Sequence, residues 1–192
     1  MPRRRPHSDV ELATAAKHVF WERGFEGTAI DHLQEATGLS RSSLYLAFDT
    51  KRAIFDAALA EYVTTFVDPR IGPMEAPTAG LREVIAFFRG LAEYFAGPDG
   101  VRGCLYVNAI AELGRDPAFT ATAAELPTRL RAAFSNALGR AADDGELDHN
   151  QVRRRAEMLT ASTLGVWLAV RTDAAQASET CRAIAQEIAA WK

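Results

Sequence analysis

The amino-acid sequence predicts an all-α protein of about nine helices, and three observations support this prediction. Apolar residues recur every three or four positions through most of the 192 residues. No segment alternates polar and apolar residues over the length of a strand, and glycine or proline separates the periodic segments. Hydrophobic residues make up 48% and charged residues 24%, which is typical of folded proteins and excludes disordered and low-complexity classes.

The first helix is predicted over residues 9–23, with Gly24 as its stop and Phe25 folding back onto it. A capping box formed by Thr28 and Asp31 predicts the start of a short second helix. Its inward residues would be Ile30, Leu33 and Ala36.

Gly38 ends that second helix, and Ser40 is placed to cap a third one. The third helix would bury Leu44 and Phe48. These three helices define a predicted N-terminal domain at residues 1–50, followed by a second helical domain at residues 51–192.

The second domain is predicted to begin with a helix that runs to about Val67 and to continue with a break through residues 68–77, which hold three prolines. Asp116 and Pro117 are expected to open a later helix that Pro127 kinks or splits. The remaining predicted helices cover residues 79–95, 104–113, 149–171 and 175–191.

Composition and motifs argue against several functional classes. The net charge of −3 shows no overall basic excess that would indicate nucleic-acid binding. Two cysteines are too few for a disulfide scaffold, so we expect a reducing, cytoplasmic environment. No apolar run is long enough to span a membrane. The four histidines lack metal-ligand spacing, and no nucleophile-elbow, phosphate-loop or dinucleotide motif occurs. We therefore expect no enzyme activity, no metal and no cofactor.

The three N-terminal helices have the lengths of a helix-turn-helix module with a glycine in the turn before the third. The third helix leaves a small, hydrogen-bonding face that suits the major groove of DNA. A plain three-helix bundle, whose outer face is only solvated, is the alternative. The residues left on the outer face are Arg41, Ser42, Ser43, Tyr45 and Leu46.

Residues 19–55 read VFWERGFEGTAIDHLQEATGLSRSSLYLAFDTKRAIF. This segment resembles the N-terminal domain of the TetR/AcrR family of bacterial transcriptional regulators. The rest of the chain has the length and helix count of that family's ligand-binding and dimerisation domain. The segment at residues 102–113, in which Gly-Cys-Leu opens a helix, resembles one subset of the family. The features that carry the resemblance are Phe20, Gly24-Phe25, Gly27-Thr28, Ile30, Ala36, Gly38-Leu39-Ser40, Leu44-Tyr45, Phe48 and Lys51.

The resemblance implies a role for each matching position in DNA binding. Thr28 would offer its hydroxyl and a helix N-terminus to a phosphate, and Lys51 would bind a phosphate as a point charge. Arg41 and Ser42, with Ser43 beside them, would approach the bases, and Tyr45 would hold the DNA backbone.

Leu46 and Ala47 depart from the resemblance, because many members have polar residues at these positions. Base contacts there would be apolar, to a thymine methyl group, or absent. Arg3, Arg4 and Arg5 are either an arm that contacts DNA or a solubilising tail. Residues 1–60 hold eight basic and eight acidic residues, so this part of the chain is neutral overall; a protein with few phosphate contacts would show a shallow salt dependence of DNA binding.

The second domain is rich in large apolar residues, which form either a pocket for a mostly apolar effector or a packed core. Asn108, Glu112 and Thr163 are the candidate polar anchors. Cys104 follows Gly103 at a predicted helix start beside Arg102, where the thiolate is favoured and can act as a sensor, or it is a structural thiol. The predicted ligand-binding residues are Phe88, Leu91, Phe95, Cys104, Asn108, Phe134, Thr163 and Trp167.

The last two helices carry more apolar surface than they can bury alone, which favours a two-fold homodimer through them over packing wholly within the monomer. The sequence therefore predicts a homodimeric regulator that binds a palindromic DNA site and responds to a small-molecule inducer, with repression as the expected sign. Two alternatives stay open. One is a helical small-molecule binder with a decayed DNA-binding head, which substitutions of Arg41 and Tyr45 would distinguish. The other is a thiol-based redox or electrophile sensor, which Cys104→Ser would distinguish.

Overall fold

The computed structural model describes residues 8–191, and this part of the chain holds ten α-helices and no strand. A π-helical turn over Val63–Val67 follows the fourth helix, and a 3₁₀ turn over Gly100–Arg102 precedes the seventh. The helices are α1 (Asp9–Arg23), α2 (Ile30–Thr37), α3 (Arg41–Phe48), α4 (Lys51–Tyr62), α5 (Asp68–Glu75), α6 (Leu81–Ala96), α7 (Leu105–Leu113), α8 (Thr120–Asp143), α9 (His149–Ala169) and α10 (Ala174–Ala189).

The predicted all-α fold is confirmed. The predicted count of nine is reached when α4, the π-helical turn and α5 are counted together, because no residue separates them. None of the helices in the described range combines the length and the apolar character that crossing a membrane requires. Contacts divide the chain into two compact units, the first ending at Val67 and the second beginning at Asp68.

In the first unit, α4 packs along α1, and α2 and α3 close the same core. Phe20, Leu33, Leu44 and Ile54 are fully buried there. Gly24 adopts a positive φ of 74° after α1, as predicted, and the rings of Phe20 and Phe25 stack with centroids 6.2 Å apart. The sequence predicted the burial of Ile30, Ala36 and Phe48 incorrectly, since Ala36 is exposed and Ile30 and Phe48 are only half-buried.

The predicted capping box of Thr28 and Asp31 is wrong. The α2 helix begins one residue later than the box requires, with Ala29 as its cap, and the Ala29 amide donates to His32 Nδ1 at 3.1 Å. The Thr28 hydroxyl instead donates to the carbonyl of Gly24 at 2.6 Å. Thr28 therefore ties the start of α2 to the end of α1.

The predicted break at residues 68–77 is also wrong, because residues 68–75 form α5. Pro69 and Pro73 both lie within this helix, so contacts from α8 rather than its own helix propensity must stabilise it. Arg129 on α8 bonds to the first and last residues of α5, at 2.5 Å to Asp68 and 2.6 Å to Glu75. Asn136 then donates to the carbonyls of Met74 and Ala76.

The second unit is built on two extended helix pairs, α6 with α10 and α8 with α9. The Ser178 hydroxyl on α10 donates to the Ala92 carbonyl on α6 at 2.7 Å, which fixes the first pair at a fully buried point. The α8 helix begins at Thr120, three residues after the predicted Pro117, since Asp116 first closes a turn by accepting from the Ala118 amide. It then continues unbroken through Pro127.

Candidate nucleic-acid interface

The α3 helix is anchored to the core on one face and exposed to solvent on the other. Ser40 caps it as predicted, accepting from the Ser43 amide at 3.2 Å, and Leu44 is the one fully buried residue on it. Arg41, Ser42 and Ser43 are exposed, and Tyr45 is half-buried. The helix therefore presents a face of small and hydrogen-bonding side chains to solvent, with the geometry that major-groove binding needs.

Two local contacts organise that face. The Arg41 guanidinium lies 5.7 Å from the centroid of the Tyr45 ring, which orients a long, flexible side chain along the helix. The Ser40 hydroxyl contacts those of Ser42 and Ser43 at 3.0 and 2.9 Å. The predicted base-contacting residues thus lie together at the N-terminal half of α3.

Thr28 and Lys51, the two predicted phosphate contacts, form a second cluster at the starts of α2 and α4. Lys51 Nζ donates to the Thr28 carbonyl at 2.9 Å and lies 4.4 Å from the centroid of the Phe25 ring. Thr28 is only 1% exposed, and its hydroxyl is already bonded to Gly24. The structure therefore brings the two residues together, but leaves the Thr28 side chain little surface for a ligand.

The predicted ligand-binding residues divide into two aromatic groups and a polar corner within the second unit. Phe88 and Phe134 stack with ring centroids 6.0 Å apart, and Phe95 meets Trp167 edge to face at 4.8 Å. Leu91 is also fully buried. In the described conformation these five residues pack as a core.

The polar corner consists of Cys104 and Asn108 at the start of α7 and of Thr163 on α9. Cys104 is the N-cap residue of α7 and is 2% exposed. Asn108 donates through Nδ2 to the Arg102 carbonyl at 3.1 Å, but its Oδ1 is buried without a hydrogen-bond partner. A Cβ placed on Gly103 would come within 3.2 Å of that Oδ1, and the φ of Gly103 is +70°, so glycine is required here. Thr163 is fully buried and donates to the Leu159 carbonyl.

A groove of about 840 Å³ opens elsewhere on the second unit, along the outer side of α6, and none of the predicted ligand-binding residues lines it. Sequence reasoning missed this groove, because α6 forms it together with residues that are distant in the sequence. Its lining is Leu81, Arg82, Ile85, Ala86, Arg89, Gly90, Glu93, Gly145, Glu146, Ala189 and Trp191.

Comparison with known protein families identifies proteins that are similar to this chain. A model described as bacterial regulatory proteins of the tetR family matches residues 12–58, and one described as a tetracyclin repressor-like C-terminal domain matches residues 80–185. The chain belongs to the TetR family. It is a DNA-binding transcriptional regulator, as the resemblance of residues 19–55 implied.

Similar TetR-family proteins are known from sequence and from structure. The HTH-type regulator YezE of Bacillus subtilis is 29% identical over 149 residues, covering 77% of each chain. The repressor ComR of Escherichia coli is 30% identical over 109 residues, covering 56% of this chain and 51% of ComR. The regulator CifR, solved as a cysteine mutant complexed with 26-bp operator DNA, is 25% identical with a TM-score of 0.77, covering 99% of this chain and 100% of CifR.

This TetR-family chain exposes an apolar strip on α9. Met158 and Leu168 are 48% and 49% exposed, although both are large apolar side chains. Ala161 and Gly165 lie between them on the same face at helical spacing and are also exposed. A Cβ added to Gly165 would meet no atom within 4 Å, so the space above it is open.

Proposed function

We propose that this protein represses transcription as a two-fold homodimer that binds a palindromic operator and is released by a small-molecule inducer. The observation that carries the proposal is the exposed face of α3, on a helix capped by Ser40 and anchored by Leu44. A two-fold dimer would place two such helices in successive major grooves about 34 Å apart. Operator binding requires the compartment of the chromosome, so we infer a cytoplasmic protein.

The DNA contacts are assigned to residues 1–50 together with Lys51. Arg41, Ser42 and Ser43 would contact bases, Tyr45 would contact the DNA backbone, and Lys51 would contact a phosphate. For Thr28, the buried hydroxyl leaves the helix start of α2 as the group that can face a phosphate. Arg3, Arg4 and Arg5 lie outside the described residues, and their role as an arm is part of the same proposal.

The dimer is assigned to the last two helices. The exposed strip of Met158, Ala161, Gly165 and Leu168 supports this assignment, since exposed apolar side chains on one helix face favour burial against a partner. The small residues in the middle would let the same helix of a second copy approach closely. The two-fold axis would make each strip contact its own equivalent.

The effector is assigned to residues 51–192. Asn108 supports a site near the start of α7, because a ligand hydroxyl or amine would satisfy its buried Oδ1. The apolar walls would come from Phe95 and Trp167, beside Cys104, with the Phe88 and Phe134 pair, Leu91 and Thr163 deeper in the unit. The inducer must bind the DNA-incompetent state more tightly than the DNA-bound state, since only that difference shifts the equilibrium.

Selection from random duplex DNA with the purified full-length protein tests the proposal. We expect enrichment of a palindromic motif. A variant that carries both Arg41→Ala and Tyr45→Ala should stay folded and should no longer bind the enriched duplex. Compounds can then be screened for release of the enriched duplex. Folded protein that enriches no motif at low salt would contradict sequence-specific DNA binding and favour a helical ligand binder.

A further inference from the structure

Leu46 occupies the middle of the α3 face that the proposed function directs at DNA. Its side chain is 78% exposed, more than any other large apolar residue among those described. At about 100° per residue, Leu46 lies roughly 160° around the helix from Leu44, the residue that anchors α3 in the core. Leu46 therefore points almost directly away from the protein, flanked by Ser42 one turn earlier and by Ser43.

The chemistry around Leu46 limits what it can contact. The hydroxyls of Ser42 and Ser43 both lie within 3.0 Å of the Ser40 hydroxyl, on the N-terminal side of the face. Ala47, the next residue, is short and only half-exposed. The α3 residues that follow Leu46, Ala47 and Phe48, carry no hydrogen-bonding side chain. A base edge that comes close to Leu46 therefore meets hydrocarbon.

We infer that Leu46 reads the C5 methyl group of a thymine in each half of the operator, an assignment that rests on the proposed function. The major-groove edges of adenine, guanine and cytosine offer polar donors and acceptors, which an apolar side chain would leave without hydrogen bonds. Thymine alone carries a methyl group there. Leu46 is then a specificity-determining residue that selects A·T pairs by apolar contact.

The test uses the duplex enriched by selection and a set of copies in which one thymine pair at a time, symmetric in the two half-sites, is replaced by deoxyuridine. Deoxyuridine keeps every hydrogen bond of thymine and lacks only the methyl group. Loss of one buried methyl corresponds to about a fourfold loss of affinity, so we expect about 15-fold for both half-sites. One symmetric position should show this loss with the natural protein.

The Leu46→Ala variant completes the cycle. It should bind the thymine duplex more weakly than the natural protein, and replacing thymine by deoxyuridine at the sensitive position should no longer change its affinity. Val101→Ala, which trims another exposed apolar residue outside the first unit, is the matched control and should keep the full deoxyuridine effect. Because Leu46 is exposed, we expect the variant to retain the natural thermal midpoint.

The outcomes separate this inference from the proposed function. An enriched duplex with no deoxyuridine-sensitive position, or with equal sensitivity in the natural and Leu46→Ala proteins, overturns the role of Leu46 and leaves the regulator function intact. Failure to enrich any duplex contradicts the function itself, and the role of Leu46 falls with it.

Discussion

The ammonium of Lys51 lies 4.4 Å from the centre of the Phe25 ring while donating to the Thr28 carbonyl. One lysine therefore joins the start of α4 to the segment between α1 and α2. An ammonium carries three donors, so a phosphate can still bind beside the carbonyl of Thr28. Phe25, which was predicted to fold back onto α1, thus also contacts the lysine.

Lys51→Met is expected to weaken binding of the enriched duplex and to flatten its salt dependence. Removal of one phosphate contact lowers the slope of log affinity against log salt by about 1 per half-site. A salt series of duplex titrations measures the slope, at a temperature where both proteins are folded. Arg140→Gln on α8, which removes a cation that pairs with Asp144, should leave the slope unchanged. An unaltered slope in Lys51→Met would remove Lys51 from the DNA contacts.

Gly165→Gln is expected to weaken the proposed dimer without unfolding the protein. The added side chain has open space in the monomer but would lie in the close approach between two copies of α9. Overpacking at both equivalent positions should weaken the dimer about 100-fold, roughly 3 kcal/mol. Sedimentation velocity over a concentration series measures this. Gly139→Gln on α8, where an added Cβ also meets nothing, is the control, and dissociation of both variants alike would argue against the α9 interface.

Arg129→Met is expected to destabilise the protein by about 1 kcal/mol, since it removes the bonds to both ends of α5 from a partly exposed site. Arg131→Met removes a single, more exposed ion pair with Glu157 and should cost less than about 0.5 kcal/mol. Urea unfolding of the three proteins at neutral pH gives the comparison. Equal stability of the two variants would show that the contacts to α5 contribute nothing.

The same pair of variants should depend differently on pH. The hydrogen bond from Arg129 lowers the pKa of Glu75 below its ordinary value of 4.5. The stabilisation is therefore fully present above that value and is lost as the pH falls through the lowered pKa. We expect the stability difference between natural protein and Arg129→Met to shrink in acid, whereas a difference that persists at low pH would assign it to packing of the arginine stem.

Both cysteines are expected to react slowly with a thiol reagent in the folded protein. Cys104 is 2% exposed, Cys181 is fully buried, and burial raises the pKa of Cys181 to about 12. The thiolate is the reactive form, so modification should be more than about 100-fold slower than in denaturant. A rapid reaction that disappears in Cys104→Ser would instead support the thiol-sensor alternative.

Local signals in the sequence predicted most of the helix ends correctly. Gly24 and Ser40 act within three or four residues of their own position, so their effect is visible in sequence. The prediction for Thr28 was wrong because its hydroxyl can either accept from an amide of the next helix or donate to a carbonyl of the preceding one. In the structure it donates to the Gly24 carbonyl. The face of α3 was likewise predictable, since Leu44 and the polar residues around it follow helical spacing.

The effector region could not be predicted to the same degree. Spacing places Phe88, Phe134 and Trp167 on inward faces, but a cavity depends on how well side chains from several helices fill the space between them. The groove beside Arg89 and Glu93 is formed where α6 meets the turn after α8 and the end of α10, and both of these segments lie more than 50 residues beyond Glu93 in the sequence. A local sequence pattern cannot predict contacts between segments that are so far apart in the chain.

The α5 helix has consequences for the order in which the protein folds. Eight residues that include Pro69, Gly72 and Pro73 are too short and too poor in helix-forming residues to hold a helix alone. Their backbone depends on Arg129 and Asn136, which the ribosome adds more than fifty residues later. We therefore expect α5 to become stable only when α8 is present, and its amides should gain protection from hydrogen exchange together with those of α8 in refolding.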